Sequence, residues 1–184
     1  TGDKKKIPYP RIYKVFNSEQ VDGLEYNPQE HHHDSNTNCE DVIKTFSGRP
    51  LIKESPNNGC YYHPIKDEVC MVPKARFTSS EGYYATLFHE LIHSTGHSKR
   101  LDRALDSESH AFGDAVYSKE ELIAEMGAAQ LCAVSGISQQ TINNAAAYIK
   151  GWLSALKDDR SILIQASQKA QLAADYILGI SFNT

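Results

Sequence analysis

The most regular hydrophobic pattern in the chain lies between Tyr83 and Ile92 and predicts an amphipathic helix. At about 100° of rotation per residue, the large apolar side chains share one broad helical face: Tyr84, Leu87, Phe88, Leu91 and Ile92. The opposite face carries polar side chains: Thr86, His89, Glu90 and His93. Ser79 or Ser80 is suited to cap the start of the helix, and Gly96 to end it. We therefore expect the apolar face to pack on a core and the polar face to border a cleft.

The remaining pattern predicts a small sheet and further helices. Runs of apolar, aromatic and β-branched residues, separated by turn residues, predict strands at 51–53, 59–62 and 68–72, and the alternation at 11–16 suits an edge strand. Helical spacing predicts helices at 38–46, from 117 onward, at 141–157 and at 159–178, with Gly179 as a stop. The expected fold class is α+β, with a small antiparallel sheet beside a mainly helical body.

Residues 89–93 read His-Glu-Leu-Ile-His and lie on the polar face of the first predicted helix. Two histidines four residues apart lie one above the other on a helix, so His89 and His93 can bind the same metal ion. Glu90 is turned by about 100° from His89 and can reach a water molecule on that ion. This pattern is typical of zinc metallohydrolases. The alternative is a surface helix that carries these three residues by chance.

A zinc site of this kind needs a third protein ligand. The helix predicted from residue 117 offers Glu121 and Glu125, which are four residues apart and share a face. In zincins with a glutamate ligand, the first acid of such a pair binds zinc and the second orients a ligating histidine, which favours Glu121 as the ligand. Ser118 and Glu121 also fit a capping box. If Glu121 caps the helix, Glu125 becomes the ligand.

The other histidines and two tyrosines are weaker candidates. The metzincin pattern would place a third histidine at position 99, but that residue is Lys99. His97 either lines the cleft or is a helix-end residue near the negative end of the helix dipole. Candidates for stabilising an oxyanion or contacting substrate are His97, Tyr117 and Tyr148. The histidine run at 31–33 lies in a polar stretch and predicts a loop.

Two blocks of the sequence resemble the zincin-like metallopeptidase domain of ArdC-type antirestriction proteins and related mobile-element proteins. The first block is Tyr83 to His97 with Arg100-Leu101, and the second is Tyr117 to Ala129. Weaker similarity covers 11–24 and 148–178. The resemblance implies a zincin-like metallopeptidase fold that uses Zn²⁺. In that family a single-stranded-DNA-binding domain usually precedes this one. We expect residues 1–30 to be a linker, 31–184 to be the zincin-like domain, and single-stranded DNA to bind only through an N-terminal domain missing from this chain.

Composition agrees with a cytoplasmic enzyme domain. The formal net charge is −4 and the pI about 6.0, so the chain offers no basic field for nucleic acid. The four cysteines show no paired spacing and suit buried thiols of a reducing compartment. No signal peptide and no apolar run of about 20 residues is present, so we expect no membrane association.

Two functions are consistent with these features. The first is a zinc metallopeptidase acting on a peptide or protein substrate, in which Glu90 takes a proton from water and passes it to the leaving amine. The second is a non-catalytic zincin-fold module that binds a DNA-processing protein partner. The presence of Glu90 favours the first function, because a purely structural metal site needs no general base.

Overall fold

A computed structural model describes Gly23 and residues 30–56, 59–104, 115–137 and 161–180. Within these ranges the elements follow in this order: α1 (Thr37–Thr45), β1 (Leu51–Glu54), β2 (Tyr61–His63), β3 (Glu68–Met71), a 3₁₀ turn (Lys74–Arg76), α2 (Ser80–Ser94), α3 (Ala115–Val134) and α4 (Ser161–Leu178). The fold is α+β, as the sequence predicted. The strand predicted at 11–16 and the helix predicted at 141–157 lie outside the described residues, and the domain boundary near residue 30 stays a prediction.

The starts of the first two helices are set by side-chain caps. The Asn36 side chain accepts a hydrogen bond from the backbone N–H of Cys39, and Ser79 Oγ accepts one from Gly82 at 3.0 Å. Ser79, rather than Ser80, is therefore the N-cap of α2. The helix ends at Ser94, and the Gly96 N–H donates to the His93 carbonyl in the turn that follows.

The three strands form a mixed sheet in the order β1-β3-β2. Strands β2 and β3 are joined by a short turn and pair antiparallel, with Tyr62 opposite Val69. Strand β1 pairs parallel with β3, with Ile52 also opposite Val69. The prediction of an antiparallel sheet was therefore wrong for this pair. The physical reason is that successive strands alternate in direction, so β1 and β3 run the same way. Because β3 lies between β1 and β2, these two parallel strands become neighbours.

Helix α2 lies at the centre of the core and contacts α3, α4, β2 and β3. The five apolar side chains that the pattern assigned to one face are each at most 2% exposed: Tyr84, Leu87, Phe88, Leu91 and Ile92. Burial of a side chain of this size stabilises the fold by roughly 1.5–3 kcal/mol. The predicted apolar face is confirmed, and it fixes which side of α2 remains for the polar residues.

Helices α2 and α3 approach each other closely at Gly127. A Cβ atom at this position would lie 2.7 Å from Cδ1 and 3.1 Å from Cγ2 of Ile92, which is itself fully buried. Real Cβ atoms essentially never approach another atom to 2.7 Å, so the absence of a side chain at Gly127 permits this spacing. The close approach brings the polar face of α2 within reach of acidic side chains on α3.

A buried polar cluster joins the segment after α2 to the turn between β2 and β3. The Arg100 guanidinium pairs with both carboxylate oxygens of Asp67 and donates to Tyr62 Oη at 3.2 Å. Its Nε donates to the Ser94 carbonyl at 2.6 Å. These hydrogen bonds tie strand β2 and the turn after it to the C-terminal end of α2.

All four cysteines are free thiols: Cys39, Cys70 and Cys132 are buried, and Cys60 is half-buried. This agrees with the scattered spacing of the cysteines in the sequence. No helix in the described part of the chain is long and apolar enough to cross a membrane.

Candidate metal centre

Two side chains of α2 and one of α3 converge on a single point. The Nε2 atoms of His89 and His93 lie 3.0 Å apart. One carboxylate oxygen of Glu121 lies 3.3 Å from His89 Nε2, and the other lies 3.3 Å from His93 Nε2. The Glu121 carboxylate thus spans the two imidazoles and completes a nearly equilateral arrangement of two nitrogens and a carboxylate.

This triangle has the dimensions of a metal site. Ligand atoms about 2.0–2.1 Å from a tetrahedral zinc ion are separated from one another by about 3.3 Å. Two imidazole nitrogens and one carboxylate oxygen also form a donor set that suits zinc and leaves a fourth position open for water or substrate. Among the described residues, His89, His93 and Glu121 form the one group of three or more metal-binding side chains whose ligand atoms lie close enough together.

Each histidine presents its other ring nitrogen to a second carboxylate. His89 Nδ1 lies 3.4 Å from Glu125 Oε1, and His93 Nδ1 lies 3.6 Å from Glu120 Oε1. A carboxylate beside Nδ1 favours a proton on that nitrogen and leaves Nε2 available to a metal. Both imidazoles are therefore oriented with Nε2 toward the shared point.

The capping-box interpretation of Glu121 was wrong. Helix α3 begins at Ala115, so Ser118 lies inside the helix and is not its N-cap. This frees the Glu121 carboxylate to contact the two imidazoles, while Glu125 approaches the opposite side of His89. Among the described residues, Glu121 is the acid that forms a group with His89 and His93 whose ligand atoms lie within 4.8 Å of one another.

The sequence did not predict that Glu120 and Arg103 lie beside the candidate metal site. Glu120 is 6% exposed and accepts two hydrogen bonds from the Arg103 guanidinium. Burial favours the neutral acid, but the His93 imidazole 3.6 Å away and the hydrogen bonds from Arg103 outweigh it and lower the pKa of Glu120. One signal was available, since Glu120 directly precedes Glu121 and is turned by about 100° from it on α3.

Glu90 lies beside the triad of His89, His93 and Glu121, and its carboxylate interacts with the backbone of strand β2. Its side chain is buried, and burial raises its pKa, although the charges of His93 and His89 and the backbone N–H of Tyr62 on β2 act in the opposite direction. Strand β2 is one of the two outer strands of the described sheet, so Glu90 lies between the triad and a sheet edge. A buried carboxylate with a raised pKa is suited to accept and return a proton.

Contacts between the two histidines and their acidic neighbours shift the pKa values at this site. Burial opposes protonation of His89, but the hydrogen bonds with Glu121 and Glu125 outweigh it and raise the pKa of His89 to about 10. The pKa of Glu121 is lowered, because its bonds to the two histidines outweigh the effect of burial. The site therefore has a strong preference for positive charge between its carboxylates, which a proton or a metal cation satisfies.

Comparison with known proteins identifies the fold. A sequence model of the zincin-like metallopeptidase family matches residues 41–169, which is more than half of the chain. The chain belongs to this family. The zincin-like chain is also similar to solved structures of the antirestriction protein ArdC from plasmid R388. A Mn(II)-bound structure shares 39% identity with a TM-score of 0.65, covering 98% of this chain and 66% of that one. A metal-free structure shares 40% identity with a TM-score of 0.61, covering 96% and 63%.

Two curated relatives are larger proteins. DNA primase TraC of Escherichia coli is 36% identical over 183 residues, covering 96% of this chain and 17% of TraC. The protein y4eC of Sinorhizobium fredii (strain NBRC 101917 / NGR234) is 36% identical over 170 residues, covering 92% of this chain and 54% of y4eC. The zincin-like chain thus spans about a sixth of TraC and about half of y4eC.

The remaining predicted site residues of the zincin-like chain have different positions. His97 is 6% exposed in the turn after α2, where its Nδ1 accepts the Lys99 N–H at 3.1 Å and its carbonyl accepts the Arg100 N–H. This placement agrees with a helix-end residue. Tyr148 and the side chain of Tyr117 lie outside the described part of the chain, so their proposed contacts with substrate stay predictions. Residues 31–33 form a loop, as expected.

Proposed function

We propose that this domain is a zinc-dependent peptidase of an antirestriction-type protein from a mobile element. The observation that carries the proposal is the position of Glu90. It is buried beside the His89, His93 and Glu121 triad and interacts with the backbone of the outer strand β2. A metal site that served only to stabilise the fold would have no need for a general base in this place.

The chain's own residues supply the steps of peptide hydrolysis. A bound Zn²⁺ would polarise a carbonyl group and lower the pKa of a water molecule at the open position. The Glu90 carboxylate takes the proton of the attacking water and then donates it to the nitrogen of the leaving amine. Glu125 and Glu120 keep the imidazoles of His89 and His93 oriented during this exchange.

Strand β2 is the element that we propose to align the substrate. It lies at the outer side of the described sheet, and its Tyr62 N–H interacts with the Glu90 carboxylate. An extended peptide that pairs with such an edge is held mainly through its backbone, so the partner is a flexible segment of a peptide or protein. Zn²⁺ is proposed as the metal because the donor set contains two imidazoles and one carboxylate.

A second candidate function is docking on a DNA-processing protein without catalysis. It is favoured by the match to DNA primase TraC, because the matched region is only a small part of that much longer protein. Direct binding to single-stranded DNA is not part of either proposal for this chain, because its net charge of −4 provides no cationic groove. Sub-micromolar binding to a single-stranded oligonucleotide at physiological salt would contradict this view.

The deciding experiment compares the wild type with Glu90→Gln after loading with Zn²⁺. We expect the wild type to cleave an unstructured protein such as casein, and the variant to cleave it at least about 100-fold more slowly, the usual scale for loss of a general base. Zinc content should be equal in the two proteins, because Glu90 is not a ligand. If neither protein cleaves any unstructured substrate while both bind zinc, the docking function replaces the peptidase function.

A further inference from the structure

We propose that Arg103 and Glu120 act as a buried pair of positioning residues that orients the His93 imidazole for metal binding. The inference rests on the proposed metal site but not on peptide hydrolysis. It concerns two residues that lie on different segments of the chain, one in the turn after α2 and one in α3. Neither is a metal ligand, and both act on the site only through His93.

The pair is built with near-ideal geometry. Arg103 Nη2 donates to Glu120 Oε1 at 2.6 Å, and Nε donates to Oε2 at 2.9 Å. The two side chains are only 8% and 7% exposed. A bidentate bond between a guanidinium and a carboxylate fixes the orientation of both planes, which a single bond would not do.

Arg103 is anchored to the end of α2 as well. Its Nη1 donates to Thr95 Oγ1 at 2.8 Å, and its Nη2 also donates to the Ile92 carbonyl at 2.9 Å. Its backbone N–H donates to the Gly96 carbonyl at 2.8 Å. The guanidinium therefore satisfies polar groups at the C-terminal end of the helix that carries His93, where a positive charge is also favoured by the helix dipole.

Consecutive acids of α3 contact opposite nitrogens of the same imidazole. Glu120 Oε1 lies 3.6 Å from His93 Nδ1, and Glu121 Oε1 lies 3.3 Å from His93 Nε2. The ring is thus held from both sides by one helix. Because Glu120 is itself locked by Arg103, the carboxylate at Nδ1 cannot turn toward the metal side and compete with Glu121 for the ion.

His89 provides an internal comparison. Its Nδ1 faces Glu125, whose side chain is 22% exposed, about three times the exposure of Glu120. The substitution Glu125→Gln therefore makes the same chemical change on the same helix, but beside the other histidine. It serves as the matched control for Glu120→Gln.

The experiment measures two properties of the full chain: Zn²⁺ affinity by competition with a chromophoric chelator, and the ring-nitrogen signals of each histidine by long-range ¹H–¹⁵N NMR. We expect Glu120→Gln to weaken Zn²⁺ binding by roughly 10–100-fold, the scale for loss of a hydrogen-bond partner of a ligand. The Nδ1 and Nε2 signals of His93 should change while those of His89 stay as in the wild type. Glu125→Gln should show the reverse pattern.

A second variant keeps the test decisive if Glu120→Gln does not fold. Arg103→Lys retains the positive charge but loses the bidentate geometry, so it should weaken Zn²⁺ binding less than Glu120→Gln and change the His93 signals in the same direction. Wild-type affinity with unchanged His93 signals in a folded variant of either residue would overturn the proposal. A protein that binds Zn²⁺ as described but cleaves no peptide would overturn the proposed peptidase function alone.

Discussion

Two regions border the candidate metal centre, and they are held together by different forces. On one side α2 and α3 pack closely through small and apolar residues, with Ile92 against Gly127. On the other side the β2–β3 hairpin is attached to the end of α2 through the polar cluster of Arg100, Asp67 and Tyr62. The first region sets the distances between the candidate metal ligands. The second sets the position of the sheet edge beside Glu90.

The difference implies that the two regions can be disturbed separately. Apolar packing between two helices fixes the distance between them, because protein interiors are close-packed and respond to a single added methyl group. A buried polar cluster determines orientation, and its loss leaves unpaired charges that weaken the local fold. Changes at the α2–α3 contact should therefore affect metal affinity, and changes at the hairpin should affect stability first.

The largest effect is expected from removing the carboxylate that joins the two helices at the site. Glu121→Ala should lose most bound zinc, because it deletes one of three protein ligands. Glu125→Ala should weaken zinc binding by only roughly 10–100-fold, because Glu125 contacts His89 Nδ1 from outside the triangle. Metal analysis of the purified proteins, with the metal-free double variant His89→Ala/His93→Ala as baseline, separates the two. Full zinc content in Glu121→Ala would refute the ligand assignment.

The polar attachment of the hairpin is tested by Asp67→Asn. Arg100 would keep its charge in a nearly buried position without its carboxylate partner, and such a loss is expected to destabilise the fold by about 3–5 kcal/mol. Chemical denaturation measures this change. Glu68→Gln, which breaks the exposed ion pair with Lys53 on the same sheet, is the control and should have little effect. Equal stability of the Asp67 variant and the control would show that the cluster does not hold the hairpin.

The apolar contact is tested by Gly127→Ala. The added methyl group cannot fit 2.7 Å from Ile92 Cδ1, so we expect a destabilisation of about 1–3 kcal/mol together with weaker zinc binding as α3 moves away from α2. Adding Ile92→Val removes that Cδ1 atom and should restore part of both losses, with Ile92→Val alone as the reference. If Gly127→Ala lowers stability but leaves zinc affinity unchanged, ligand spacing does not depend on this contact.

The two regions should also respond differently to pH, and these effects should be smaller than those of the substitutions. The pKa of His89 is raised to about 10 in the metal-free protein, so its proton competes with a metal at pH values below that. Zinc affinity should therefore rise with pH up to about 10, and binding at pH 8 should release protons, as calorimetry in buffers of different ionisation enthalpy would show. Zinc binding without proton release at pH 8 would contradict the charged state of His89.

The hairpin should respond at the acidic end instead. Burial favours the neutral form of Asp67, but hydrogen bonds from Arg100 and Tyr62 outweigh it and lower its pKa. The stabilisation from this pair is therefore present above the ordinary pKa of an aspartate, about 3.9, and is lost as the pH falls through the lower folded value. Asp67→Asn should remove this acid-dependent component and leave the alkaline dependence of zinc binding unchanged.

The sequence by itself determined the elements whose signal is local. The 3.6-residue period between Tyr83 and Ile92 specified α2 and its buried face, because burial of a helix depends on residues three and four positions apart. The same spacing placed His89 and His93 together and Glu90 beside them. The spacing of Glu121 and Glu125 limited the third ligand to two candidates, and the pattern of zincins with a glutamate ligand favoured Glu121, which the structure brings to the two histidines.

Only the tertiary structure decided the features that depend on segments meeting across the chain. The parallel pairing of β1 with β3 follows from the insertion of β3 between its neighbours, which no local pattern records. The start of α3 at Ala115 removed the capping role of Glu121, and the approach of α3 to α2 placed Glu121 beside both Nε2 atoms and Glu120 and Glu125 each beside one Nδ1 atom. The pairing of Arg103 with Glu120 joins residues 17 positions apart. Because a carboxylate can bind a metal ion, a histidine or an arginine, the distances in the folded protein determine which contact each acid makes.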